Sequence, residues 1–79
     1  MNYDIAVDFM DMTDDRRVWT RAADLRPGFV PIAGEFVLAG CDDADPAVAR
    51  ILSVDAEGRI ELEILRGSVE SHRHLLASA

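Results

Sequence analysis

Lysine is missing from this chain: all eight basic residues are arginine. That removes Schiff-base and lysine general-base chemistry, and the bias fits GC-rich coding more simply than it fits a function. Cysteine is nearly missing too. Cys41 stands alone, so no internal disulfide can form and a structural zinc site would lack thiolate partners. No apolar run approaches the roughly 20 residues a membrane helix needs. The opening Met1-Asn2-Tyr3-Asp4 has neither a basic region nor an apolar stretch, so no export signal is read and a cytoplasmic location is expected. Positive charge is scarce: fifteen acidic groups leave a formal net charge of −7. An excess of that sign repels nucleic-acid backbones and anionic lipid at long range, so neither is expected as a partner.

What is present suffices for one folded unit. The chain has 79 residues, 49% of them hydrophobic and 29% charged, a composition that folds instead of remaining disordered. A chain this short buries only roughly 60 to 65% of its unfolded surface, so one domain over residues 1–79 is expected and self-association would help it.

The clearest periodicity is at the start. Tyr3, Ile5, Val7 and Phe9 alternate with Asp4, Ala6 and Asp8, the period of a half-buried strand over 3–9. The stretch from Met12 to Leu25 reads two ways. Thr13 can cap a helix carrying Val18, Ala22 and Leu25 on one stripe, or Thr13-Asp14-Asp15-Arg16 can turn the chain into a strand through Arg17, Val18, Trp19 and Thr20. The strand is preferred because short connections join antiparallel neighbours. Pro27-Gly28 suits a type II turn. Glu35 to Ala39 reads as a strand, and Cys41-Asp42-Asp43-Ala44-Asp45-Pro46 as an acidic loop closed by proline.

Ala47 to Val54 and Arg59 to Leu65 form a hairpin about Asp55-Ala56-Glu57-Gly58. With Gly58 at the left-handed position of a three-residue loop, Val54 faces Ile60 and Leu52 faces Leu62. The competing frame pairs Arg50 with Glu63 and sets Ile51 and Ala49 beside Leu62 and Ile64. A slip of one residue flips every side chain, so the first frame excludes the second. Ser68 then caps a short helical segment returning Leu75 and Leu76 to the core, and Ala77-Ser78-Ala79 is expected to fray.

The succession from Gly34 to Leu76 resembles small uncharacterised bacterial proteins with an SH3-like barrel. It runs Gly34-x-x-Val37, acidic loop, Ala-rich strand, glycine turn, alternating strand and helical turn. The resemblance implies an all-β, five-stranded, partly open barrel with one short C-terminal helical turn. Two branches of such barrels have recognisable chemistry. The Tudor branch binds methylated side chains in an aromatic cage, but the aromatics here are only Tyr3, Phe9, Trp19, Phe29 and Phe36, with Phe9 and Phe36 needed in the core. The type II dihydrofolate reductases are similar at Gly67-Ser68-Val69, yet where they continue Val-Gln-Ile-Tyr this chain has Val69-Glu70-Ser71-His72. Neither activity is implied.

Four groups of residues have the chemistry for a site. Asp42, Asp43 and Asp45 offer oxygen ligands to a hard cation, without the spacing of a calcium loop. Cys41 with His72 and His74 would make a soft-metal set or a thiol nucleophile only if the fold brings them together, and the adjacent carboxylates disfavour the thiolate. Glu61 and Glu63 share a strand face, but acid–base catalysis needs a cleft to raise one pKa. Trp19, among Arg16, Arg17 and Arg21, is the one cationic cluster, and tryptophan and arginine dominate binding hot spots. An exposed Trp19 would make these four the contact patch. The expectation is a non-catalytic module binding a protein or itself, with no cofactor and no metal. Its rival is a small enzyme whose cleft forms at a symmetric homo-oligomer interface.

Overall fold

The structure is a computed structural model of the chain and describes residues 3–42 and 44–76. Five strands follow in chain order: β1 (Ile5–Ala6), β2 (Arg17–Arg21), β3 (Phe36–Cys41), β4 (Ala44–Val54) and β5 (Arg59–Ile64), before one helix, α1 (Val69–Leu76). They form a single sheet in the order β1-β3-β4-β5-β2, antiparallel except where β1 joins β3.

The sheet curls until its two edges nearly meet. Ile5 bridges Leu25, the amide of Arg26 donates to the carbonyl of Asp4 at 2.8 Å, and the Thr20 hydroxyl donates to the carbonyl of Ala6 at 2.8 Å. The result is a mostly-β half-barrel with its core inside. Ile5, Val7, Val18, Val37, Ala39, Ala49, Ile51, Ile60, Leu62 and Ile64 fill that core, with Phe9, Met12, Leu25 and Phe29 packed at its margin.

Residues 17–21 are a strand, as expected, but β2 pairs with β5 and not with β1. Consecutive strands occupy opposite edges because curling, and not a hairpin, brings them together. β1 is also shorter than its periodicity suggests. Ile5 and Val7 are buried in alternation, yet only two residues join the ladder before Asp8 caps a 3₁₀ turn at Phe9–Asp11, its carboxylate accepting the Met10 amide at 2.9 Å.

The acidic segment is not a loop closed by proline, since Ala44, Asp45 and Pro46 already belong to β4. Cys41 pairs with Ala44 and Ala39 with Ala47, so β4 carries an extra residue here. A bulge tolerates Pro46, which has no amide to offer the ladder.

The hairpin corrects the choice of a single frame. Val54 pairs with Ile60, but Ile51 pairs with Leu62, Arg50 with Glu63 and Ala49 with Ile64. One extra residue at Leu52 switches register, so the two frames hold at opposite ends of the same ladder. Ile51 is therefore buried and Leu52 only half so. Gly58 takes the left-handed conformation at φ 83°, and Asp55 Oδ1 accepts the amides of Glu57 and Arg59, both at 2.9 Å. At Pro27-Gly28 the second central residue likewise has φ 83°, and Phe29 donates back to the Arg26 carbonyl at 2.9 Å. Ser68 caps α1 by accepting the amide of Ser71 at 3.2 Å. The expected fraying at 77–79 lies outside the described residues.

Candidate functional site

On β2 the side chains alternate strictly, with Val18 and Thr20 buried inside and Arg17, Trp19 and Arg21 exposed outside. Trp19, the only tryptophan, is 55% exposed. Cross-strand pairing sets Glu63 beside Arg17, Glu61 beside Trp19, and Arg59 beside Arg21. On the next strand Arg50 lies opposite Glu63 and Ser53 opposite Glu61. The outer face of β4, β5 and β2 is thus one surface, with Trp19 on its edge strand. It holds four of the eight arginines but two of the fifteen carboxylates, a positive face on an acidic protein.

Arg59 is the member that the sequence concealed. Forty residues from Trp19 along the chain, it is brought by the pairing of β5 with β2 to within 5.9 Å of the Trp19 ring centroid, measured from its guanidinium carbon. Its orientation comes from Asp55, whose Oδ2 accepts the Arg59 Nε at 2.9 Å. The Asp55 carboxyl is held below its ordinary pKa, chiefly by the Arg59 amide, while partial burial opposes the shift. Pairing of two strands distant in the chain sets Arg59 diagonally across from Trp19, which no local pattern around Trp19 could signal.

Arg16 departs from the patch. It adopts φ 64°, its Nε donates to the Ile64 carbonyl at 2.9 Å and its Nη2 to the Leu65 carbonyl at 3.4 Å. It ties the turn before β2 to the end of β5 and is half-buried there. Arg17 is bridged to Asp15 at 3.5 Å and to Glu61 at 3.8 Å. Among the described residues, the guanidinium groups of Arg21 and Arg50 have no ion pair.

The free edge of β2 offers less than its face. Thr13 closes one end, donating its amide to the Arg17 carbonyl at 2.9 Å and accepting the Arg17 amide on its hydroxyl at 3.1 Å. Asp24 closes the other, its Oδ2 accepting the Arg21 amide at 3.4 Å. A strand edge blocked this way does not template a further strand.

The remaining candidates fall apart in space. His72 Nε2 donates to the Arg66 carbonyl at 2.6 Å and Cys41 is half-buried at the end of β3. Asp42 accepts the Tyr3 hydroxyl at 3.1 Å, a bond that raises the Tyr3 pKa. Asp43 lies outside the described residues, and Asp45 is exposed on β4. Among the described residues no three His, Cys, Asp or Glu side chains gather as a metal site. Glu61 and Glu63 stand on the outer face, both half-buried, with Glu61 bridged to Arg17 and Glu63 beside Asp15 and Arg66 in a shallow hollow.

A wider concavity, about 660 Å³, lies elsewhere, between the 3₁₀ turn, the start of β4 and the start of α1. Phe9, Met12, Pro46, Ala47, Ile64 and Val69 make it mostly apolar. Of its charged members, Arg16 is engaged with backbone carbonyls and Glu70 in an ion pair with Arg73, while Asp45 is exposed to water. Ser68, the hydroxyl in its described lining, bonds to the Ser71 hydroxyl and not to a base of the kind that hydrolytic or transfer chemistry would require. The chain matches no family model, no curated protein and no solved structure in comparisons with each.

Proposed function

We propose that this chain is a non-catalytic interaction module that docks a protein partner, or a second copy of itself, on the outer face around Trp19. The observation that carries the reading is the half-exposed indole on a paired strand, with an arginine against its ring and two more on its own strand. Burying a rigid aromatic with oriented guanidinium groups yields contact energy at little conformational cost, which is why such residues anchor interfaces. The resemblance to bacterial SH3-like barrels belongs to the same reading, supported by a five-stranded curled sheet followed by a short helix. So does a cytoplasmic setting, supported by the lone thiol of Cys41. Among the described residues no helix is long and apolar enough to cross a membrane.

Differential capture tests this. The immobilised domain, Trp19→Ala and Arg66→Gln are challenged with the same cell extract, and light scattering follows each protein over a wide concentration range. A partner or self-complex retained by the wild type and Arg66→Gln and lost by a folded Trp19→Ala is the expected result. Equal retention by all three, together with a strict monomer at every concentration, removes the proposal. A strict monomer also eliminates the rival enzyme, whose site requires several copies.

A further inference from the structure

Arg21 and Arg59 are direct cross-strand partners. Their backbones are turned away from each other: Arg59 exchanges hydrogen bonds with Asp55, and the amide of Arg21 donates to Asp24. Theirs is therefore the non-hydrogen-bonded kind of pair, in which side chains approach most closely. Like charges directly opposite on a sheet repel. Arg59 is partly compensated by Asp55 at 2.9 Å and Glu57 at 3.7 Å, whereas the Arg21 guanidinium has no ion pair among the described residues. Between them and Trp19 lies a depression of about 360 Å³, lined by Trp19, Thr20, Arg21 and Arg59.

On the basis of the docking face proposed above, we infer that this depression takes a carboxylate side chain from an acidic peptide segment, with an apolar neighbour of that carboxylate lying on the Trp19 ring. A carboxylate between two guanidinium groups turns their repulsion into two charge-assisted contacts, and each arginine has donors left for it. The indole supplies apolar area at the same place. The surroundings limit the ligand to isolated carboxylates. Glu61 and Glu63 share the face, and Asp8 and Asp24 line an adjoining hollow that shares Trp19, Thr20 and Arg21 with this one. A continuous polyphosphate would run onto these four acids, while a peptide can space its charges to avoid them.

Trp19 reports binding without a label, being the only tryptophan. The probe is a short acetylated and amidated peptide with aspartates flanking one leucine in a glycine–serine background. Titration is expected to give a saturable change in Trp19 emission that weakens with salt. Arg21→Gln should reduce affinity roughly tenfold or more, the scale of a charged hydrogen-bonded contact, and Arg66→Gln should match the wild type. Circular dichroism establishes that both variants are folded. The same peptide with lysine for aspartate, and oligothymidine, should leave the emission unchanged. No saturable response, equal affinity in Arg21→Gln, or stronger binding to oligothymidine each overturns the inference. If the acidic peptide is ignored while Trp19→Ala still loses its captured partner, the acidic ligand is wrong and the docking face stands. If both fail, both fall.

Discussion

The outer surface of the curled sheet has two halves that began as the same kind of strand face and ended differently. On β3 and β4, Phe36, Leu38 and Val48 point outward, Leu38 sits opposite Val48, and α1 packs over both strands. Val48 is left only 1% exposed although it lies outside the inner core. On β5 and β2 the outward residues are Glu61, Glu63, Arg17, Trp19, Arg21 and Arg59; the two glutamates are half-buried and the other four are exposed. Apolar outward residues recruited the helix; charged ones were left facing water. Trp19 is the exception in the second half. It has the apolar area of a covered residue without a cover of its own, which is why the bare half is the candidate docking face.

The contrast can be broken from either side. Val48→Asp should cost at least about 3 kcal/mol in urea unfolding, because it places an unpaired charge between β4 and α1. A smaller loss would mean that the helix covers Val48 only loosely. Removing the cap of that helix is milder: Ser68→Ala should cost about 1 kcal/mol, with amide exchange accelerating first in residues 69–72. On the bare half, Trp19→Ala should change stability by no more than about 0.5 kcal/mol despite the size of the side chain, while abolishing partner capture. A loss comparable to that at Val48 would make Trp19 part of the core.

The smallest effect concerns pH and separates the hairpin from the rest. The Asp55 pKa is depressed in the folded state, so its contribution is present above its unfolded value and is lost as pH falls through the folded one. NMR should show Asp55 titrating below the usual carboxylate range. The Arg59 amide should follow the same curve, and the Trp19 indole signal should shift with it as the guanidinium loses its anchor.

Much of the architecture was legible because it rests on local physics. Alternation at residues 17–20 marks β2, Gly58 marks a left-handed turn, Pro27-Gly28 a second, and Ser68 a helix cap. Each depends on residues within one turn or strand. Errors came where two distant segments had to agree. The bulges at Leu52 and at Asp45-Pro46 reconcile the lengths of paired strands, and β4 cannot announce the register of its partners. The edge positions of β1 and β2 follow from curling, which joins Ile5 to Leu25 and Thr20 to Ala6.

The candidate site divides along the same line. That Arg17, Trp19 and Arg21 share a face follows from strand periodicity alone, and so does the exclusion of lysine and disulfide chemistry by composition. Tertiary structure alone decided that the face is uncovered, that Arg16 leaves it to bind the carbonyls of Ile64 and Leu65, and that Arg59 joins it at the indole. Periodicity sets the direction of a side chain relative to its own backbone; what waits in that direction is settled by strands drawn from elsewhere in the chain.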